Sequence, residues 1–224
     1  MSQDRPDLAP LIDHALLDPH QGSDAIARCC DEARHFGFAA VCLASRWVAL
    51  ARDRLPRQGE GRGPSPRLSS VVGFPFGAIP PAVKLAEAEA AAAAGADELD
   101  VVPDFGALAD GDTNTVLQDL ASICDLGLPV KVILEAERLP PASLELLVEI
   151  SIDAGARFLK TGSGFGPAVT PTGVERLVHL ARGRAAVKAS GGIADLEQAF
   201  ALVEAGASRL GTSRGVALMQ ALRG

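Results

Sequence analysis

The sequence predicts a single-domain (β/α)8 TIM barrel, an α/β fold that spans residues 1–224. Short runs rich in Val, Ile, Leu and Phe alternate with longer runs rich in Ala and Leu, the pattern of βα units around a parallel sheet. Eight such apolar runs can be counted. The tripeptide Ala-Gly-Ala also recurs, beginning at Ala94, Ala154 and Ala205, which indicates that one βα module is reused.

The apolar runs predict the strands in chain order. They cover residues 11–16, 38–43, 68–74, 98–102, 130–135, 157–161, 185–190 and 208–213. The Ala- and Leu-rich runs between them, such as residues 81–94, 142–153 and 195–205, predict helices because these residues favour helical backbone. Eight successive modules of this kind close into a barrel.

Glycines separate the predicted helices from the strands that follow them. A left-handed residue that closes a helix is expected at Gly37, Gly95, Gly127, Gly155, Gly183 and Gly206. A doubly wound open sheet is the rival architecture, but no GxGxxG fingerprint follows the first strand. Residues 57–66 are rich in Gly, Pro and charge, which predicts a surface loop and not a linker between domains.

Composition excludes several classes of protein. The chain is 48% hydrophobic and 22% charged, which is ordinary globular usage. A net charge of -7 argues against a nucleic-acid partner. The N-terminal residues show no basic segment followed by an apolar run, and no long apolar run occurs, so we expect a cytoplasmic protein without a membrane segment. The four cysteines form no CxxC pair, so neither a disulfide framework nor a metal site is predicted.

Lysine usage is the most informative feature of the sequence. Of 21 basic residues only four are lysines, and Lys131, Lys160 and Lys188 lie in predicted strands. Only an amine forms an imine with a carbonyl compound, and barrel active sites lie at the C-terminal ends of the strands. A neighbouring cation lowers the pKa of a lysine, so Lys160 or Lys188 is the expected nucleophile. The alternative is that each lysine is a strand-end cation that reaches solvent.

The fourth lysine, Lys84, is expected to be a solvated surface charge, because it lies in a predicted helix near Glu87 and Glu89. Asp100, inside the fourth predicted strand, is the expected proton carrier of an imine mechanism. The alternative for Asp100 is a plain ion pair with Lys131 or Lys188.

Glycine-rich loops follow the last three predicted strands. They are residues 161–166 (TGSGFG), 190–192 (SGG) and 211–215 (GTSRG). Backbone N–H groups of such loops bind phosphate in barrels, and Ser213 and Arg214 can add donors. The alternative is that the glycines only form tight turns. None of the loops matches a dinucleotide or Walker fingerprint, so no nucleotide cofactor, and no cofactor of any kind, is expected.

The motifs LIDHALL, AAVCL, VVGFPFG, DELDVV, KVILE, FLKTGSGFG, VKASGG and LGTS occur in this order along the chain. With these motifs the chain resembles the deoxyribose-phosphate aldolases over nearly its whole length. The resemblance implies that Lys160 forms the Schiff base and that Lys188 and Asp100 tune it and relay the proton. It also implies a substrate pocket, whose residues would be Asp13, Cys42, Lys131, Thr161, Gly164, Gly191, Gly192, Gly211 and Ser213.

The expected activity is the reversible cleavage of 2-deoxy-D-ribose 5-phosphate to D-glyceraldehyde 3-phosphate and acetaldehyde, without a metal ion. The expected partners are therefore a small sugar phosphate and an aldehyde. The sequence leaves the oligomeric state open, with a homodimer as one alternative. The chain departs from the family pattern at Ala15, Ala44, Ser45, Gly162 and Arg214, and it contains no tyrosine. The departures at Ala44, Ser45, Gly162 and Arg214 motivate the first of two alternatives, and the glycine-rich loops, which could hold a ligand without turnover, motivate the second. One is a related aldolase with another aldehyde substrate, and the other is a barrel that binds sugar phosphate without turnover.

Overall fold

The structure is a computed structural model that describes residues 6–57, 59–60 and 65–223. Within these residues eight parallel strands close into one barrel in the order of the sequence, with the last strand pairing with the first. The strands are β1 Ile12–Leu16, β2 Ala40–Ala44, β3 Arg67–Val72, β4 Glu98–Val101, β5 Val130–Ile133, β6 Phe158–Lys160, β7 Ala186–Ser190 and β8 Arg209–Thr212. The predicted barrel is therefore confirmed, and each strand ends within two residues of its predicted bounds.

Helices surround the barrel in the part of the chain that the structure describes. They are α1 Ser23–Phe36, α2 Val48–Arg54, α3 Pro81–Ala93, α4 Phe105–Ala109, α5 Thr113–Cys124, α6 Pro141–Asp153, α7 Pro171–Ala181, α8 Leu196–Glu204 and α9 Gly215–Arg223. Several begin at a side-chain cap: Asp104, Asp112, Thr170 and Asp195 each accept a hydrogen bond from a backbone N–H of the first turn. None of the described helices is long and apolar enough to cross a lipid bilayer.

The glycines that were expected to close helices adopt positive φ angles. The values range from +71° at Gly37 to +104° at Gly95 and Gly206. The left-handed conformation costs glycine little conformational free energy, because glycine has no Cβ. At each of these positions it turns the chain from an outer helix back towards the sheet. The core fills the space between sheet and helices, and β4 and β5 are buried along their whole length.

The prediction for Lys84 was wrong. Its side chain is fully buried between α3 and α5, where the ammonium pairs with Asp119 and donates a hydrogen bond to the carbonyl oxygen of Val102 at 3.1 Å. Glu87, the helical neighbour that suggested a surface pair, instead accepts hydrogen bonds from Gly73 and Ser45. Of the predicted surface loop at 57–66, residues 58 and 61–64 lie outside the described residues.

Candidate active site

The barrel brings the three strand lysines together around one carboxylate. Asp100 on β4 lies beside Lys131 on β5 in the sheet register, and Lys160 on β6 lies beside Lys188 on β7. All four side chains point into the barrel and are almost completely buried. Lys160 is the last residue of its strand, which places its amine nearest the C-terminal mouth, where barrel enzymes carry their chemistry.

Asp100 is bound on both oxygens. Its Oδ2 accepts hydrogen bonds from the amines of Lys160 at 2.9 Å and Lys188 at 2.7 Å. Its Oδ1 accepts from the amine of Lys131 at 2.9 Å and the hydroxyl of Ser69 at 2.8 Å. Burial alone raises the pKa of this carboxyl, but the three ammonium groups outweigh burial and hold the pKa well below its usual range. Asp100 is therefore an anion that joins the lysines.

A second layer of charge lies closer to the N-terminal ends of the strands. Asp13 on β1 accepts a hydrogen bond from Arg209 Nε at 2.6 Å and pairs with Lys188 at 2.5 Å. Glu98 on β4 pairs with Lys131 at 2.6 Å and with Arg209 at 3.4 Å. Burial opposes ionisation of both carboxyls, yet the neighbouring cations lower their pKa values. Acidic and basic groups thus alternate through the barrel centre.

The surroundings of Lys188 differ from those expected from the sequence. We predicted that a neighbouring cation would lower a lysine pKa in this pair. Burial acts in that direction on Lys188, but the carboxylates of Asp100 and Asp13 outweigh it and raise its pKa. The two carboxylates therefore favour the ammonium form of Lys188. Among the described residues Lys160 has one carboxylate partner, Asp100, whereas Lys188 has two, so Lys160 is the better placed nucleophile.

A cavity of about 420 Å³ opens above the lysines. Seven of the predicted site residues besides Lys160 line it: Cys42, Gly164, Lys188, Gly191, Gly192, Gly211 and Ser213. The loops after β6, β7 and β8 therefore meet at one wall, and Arg214 belongs to the same wall. This wall has the backbone-rich, cationic character that binds a phosphate group.

Two of these glycines leave no space for a side chain. A Cβ at Gly192, which has φ +73°, would lie 2.9 Å from the Cβ of Ala168. A Cβ at Gly211 would lie 2.8 Å from the Cβ of Ser190 and 3.0 Å from Cε of Lys188. The glycines therefore do more than form turns: Gly192 lets the loop after β7 pack against the loop after β6, and Gly211 lets β8 pack closely against Lys188.

Other predicted site residues lie behind the cavity wall. Asp13, Asp100 and Lys131 are fully buried in the ion network. Thr161 Oγ1 donates to the carbonyl oxygen of Ser190 and accepts from its N–H, both at 2.8 Å, which joins the loops after β6 and β7. Cys42 does line the cavity, 3.8 Å from Asp100 Oδ2, and burial raises the pKa of its thiol.

Sequence reasoning missed three members of the network: Ser69, Glu98 and Arg209. Glu98 is the first residue of β4, as predicted, but the sequence analysis gave no role to its carboxylate, which is fully buried. Arg209 stands two residues before Gly211 in β8, so strand alternation puts both on one face, and this signal was available. No three His, Cys, Asp or Glu side chains within residues 6–57, 59–60 and 65–223 are grouped to hold a metal ion.

Comparison with known proteins places this geometry in context. No family model matches the chain. It is 48% identical over 215 residues to the deoxyribose-phosphate aldolase of a Cyanothece species, covering 96% of this chain and 92% of that protein. It is 43% identical over 217 residues to the deoxyribose-phosphate aldolase of Thermus thermophilus, covering 95% of this chain and 96% of that protein.

Solved structures agree with the sequence comparison. The aldolase QR15 superposes with a TM-score of 0.89 at 35% identity over 97% of this chain and 96% of that chain. The deoxyribose phosphate aldolase of Aeropyrum pernix, described as a tetramer, superposes with a TM-score of 0.85 at 36% identity over 96% and 91% of the two chains. Because these similarities extend over nearly the whole chain and the fold is a closed eight-stranded barrel, the chain belongs to the deoxyribose-phosphate aldolase family.

Proposed function

We propose that this enzyme reversibly cleaves 2-deoxy-D-ribose 5-phosphate to D-glyceraldehyde 3-phosphate and acetaldehyde through a Schiff base on Lys160. The observation that carries the proposal is the position of the Lys160 amine, which lines a cavity together with the glycine-rich loops after β6, β7 and β8. The amine supplies the imine chemistry and the loops supply a phosphate site. Relatives that align over nearly the whole chain bear the name of this activity.

The reaction begins with attack of the Lys160 amine on the aldehyde carbon C1 of the open-chain sugar. Loss of water from the adduct leaves a protonated imine that withdraws electrons from C2. The C3 hydroxyl then gives its proton to Asp100, directly or through water, the C2–C3 bond breaks, and glyceraldehyde 3-phosphate leaves. The electron pair of that bond forms an enamine, which takes up a proton at C2, and water releases acetaldehyde from Lys160.

Asp100, behind the cavity wall, and Lys188, in the wall, support these steps. The anionic Asp100 lies 2.9 Å from Lys160 Nζ, where it stabilises the positive charge of the imine. Asp100 Oδ2 also accepts from Lys188 at 2.7 Å, so one oxygen joins the two amines and offers a path for proton relay between them. Lys188 and Lys131 compensate the charge of Asp100 when Lys160 is a neutral amine.

The test compares Lys160→Arg with the wild-type enzyme in cleavage of 2-deoxyribose 5-phosphate. Arginine keeps the cation beside Asp100 but cannot form an imine, so we expect activity to fall by several orders of magnitude while the fold is retained. Retention of activity in this variant would exclude the Schiff-base mechanism. Binding of the sugar phosphate by the wild-type protein without any cleavage would support the non-catalytic barrel instead.

A second candidate function, an aldolase of this family with another aldehyde substrate, rests on the departures from the family pattern. Ala15 and Arg214 line the cavity and therefore can change its specificity. Ser45 does not line it, and its hydroxyl donates to Glu87 at 2.8 Å. Comparing kcat/KM for 2-deoxyribose 5-phosphate with that for a panel of acceptor aldehydes separates the two, because a strong preference for another substrate favours the second.

The proposal extends to the setting of the enzyme. We propose that it acts in the cytoplasm, on small molecules and not on nucleic acid, and that it forms a homodimer. The cysteines Cys29, Cys30, Cys42 and Cys124 are free thiols, which suits a reducing compartment. Light scattering of the purified protein measures the mass and distinguishes a dimer from a monomer or a tetramer.

A further inference from the structure

Glu135 is an acidic residue beside the cavity that the mechanism above does not use. It follows β5 closely, and its backbone has φ +49°, a left-handed conformation that is uncommon for residues other than glycine. Its carboxylate Oε1 accepts a hydrogen bond from the backbone N–H of Ser163 at 2.6 Å. A short bond between a carboxylate and a backbone amide is about twice as strong as a neutral one.

The carboxylate of Glu135 lies inside the bend of the loop that follows Lys160. A Cβ at Gly162 would lie 3.8 Å from both carboxylate oxygens, and a Cβ at Gly166 would collide with Oε2. The loop therefore curves around Glu135 from Gly162 to Gly166. Any residue other than glycine at position 166 would therefore force the Glu135 carboxylate to move.

The residues in the middle of this bend line the cavity. Ser163, Gly164 and Phe165 face it together with Lys160. Thr161 is fixed at the start of the loop by Ser190, and Val169 is fixed beyond it by a hydrogen bond to Gly191 at 3.0 Å. Between these two points, the bond from the Ser163 N–H to Glu135 attaches the loop to the turn after β5 and so determines where Gly164 presents its backbone.

We infer that Glu135 is a positioning residue of the aldolase, which holds the Ser163–Gly164 backbone in the conformation that receives the phosphate group of the substrate. The inference rests on the proposed function, because it takes the phosphate to bind at the wall formed by Gly164, Gly191 and Gly192. Glu135 acts through the loop and not on the reacting carbon atoms. Its loss therefore weakens binding of the phosphorylated substrate and leaves imine formation intact.

Glu137 provides a matched control. It lies on the same turn after β5, and its carboxylate accepts from the N–H of Thr170 at 3.2 Å and from the hydroxyl of Thr170 at 2.8 Å. It thus ties the same β6–α7 connection to the same turn, but Glu137 and Thr170 do not line the cavity. If the effect came from loosening this connection in general, KM would rise in variants of both glutamates. If it comes from the position of Gly164, KM rises in variants of Glu135 alone.

The experiment uses Glu135→Met, which keeps the length of the side chain but has no acceptor, Glu135→Gln, which keeps a neutral acceptor, and Glu137→Met. Two readouts separate phosphate binding from imine chemistry. The first is KM and kcat for cleavage of 2-deoxyribose 5-phosphate. The second is the rate at which borohydride traps acetaldehyde on Lys160, which involves no phosphate. Thermal unfolding of each variant checks that it is folded.

For Glu135→Met we expect KM to rise about tenfold while kcat and the trapping rate stay within about twofold of wild type. Glu135→Gln should lie between Glu135→Met and wild type, and Glu137→Met should match wild type. An unchanged KM in Glu135→Met, or an equal rise in KM in Glu137→Met, overturns the inference. A parallel fall in trapping also overturns it, because the residue would then act on Lys160.

If Glu135→Met does not fold, Glu135→Asp gives the same test. Asp tolerates the left-handed backbone and keeps the charge, but it is shorter by one methylene and withdraws from the Ser163 amide. The same rise in KM is expected, and an unchanged KM overturns the inference. Wild-type protein that does not cleave 2-deoxyribose 5-phosphate would instead contradict the proposed function, so the two failures are distinguishable.

Discussion

At the scale of single residues, Asp100 is the group on which the site depends. It is fully buried, yet it is bound by three ammonium groups and one hydroxyl, so its negative charge is compensated inside the barrel. Removing one partner of a buried charge network leaves the other charges uncompensated, which costs about 3–5 kcal/mol. The same carboxylate fixes the position of the Lys160 amine.

The substitution Asp100→Asn tests this role. Asparagine keeps the shape but removes the charge, so we expect the free energy of unfolding to fall by about 3 kcal/mol and kcat by about 10²-fold. Ser69→Ala is the control, because it removes only the neutral hydrogen bond to Asp100 and should cost about 1 kcal/mol. Urea unfolding and the cleavage assay provide both numbers. Equal losses in the two variants would show that the charge of Asp100 has no special role.

At the scale of elements, the alternation of strands and helices was predictable because each module repeats the same local signals. The apolar runs and the helix-closing glycines are local in sequence, and the barrel that follows from their number was confirmed. Lys131, Lys160 and Lys188 meet around Asp100 because the inward side chains of neighbouring strands meet inside a barrel. Of these three lysines, Lys160 and Lys188 line the cavity at the mouth, whereas Lys131 lies behind its wall.

What the sequence could not reveal depends on contacts between distant elements. Lys84 was interpreted from its own helix, but its partner Asp119 lies 35 positions further along the chain on α5. The contact of Asp13 with Arg209 spans 196 positions. No local sequence pattern indicates a contact across so many positions. The buried partners of Lys84 and Asp13 are therefore apparent only in the folded structure.

The Lys84–Asp119 pair gives a prediction for the packing of α3 against α5. Lys84→Met leaves the Asp119 carboxylate buried without its cation, so we expect a loss of about 3–5 kcal/mol in the free energy of unfolding. The double variant Lys84→Met/Asp119→Leu should recover most of this loss, because it removes both charges. Urea unfolding of the two variants measures the difference. A double variant no more stable than Lys84→Met would contradict this account.

At the scale of the whole molecule, the buried charge network links stability to pH. The folded-state pKa values of Asp13, Glu98 and Asp100 lie below their ordinary values, and that of Lys188 lies above its own. The stability from the carboxylates is therefore complete above their unfolded pKa values of about 4 and is lost as pH falls through the lower folded values. The stability from Lys188 is complete below about pH 10 and is lost as pH rises through its folded value.

We therefore expect the urea midpoint to be level between about pH 5 and pH 9 and to fall steeply in acid below about pH 4. Ionic strength should change the acid limb little, because these groups are buried and are screened less than surface charges. Midpoints measured across this range test the prediction. A protein that becomes more stable as pH falls from 5 to 3 would contradict it.

The central claim is that Lys160 is the amine that forms the Schiff base. The most direct measurement is reduction with borohydride in the presence of acetaldehyde, followed by peptide mapping of the modified lysine. The account predicts an ethyl group on Lys160, none on Lys131 or Lys188, and no labelling of the Lys160→Arg variant. Labelling of Lys188, or equal labelling of Lys160→Arg and the wild-type enzyme, would contradict it.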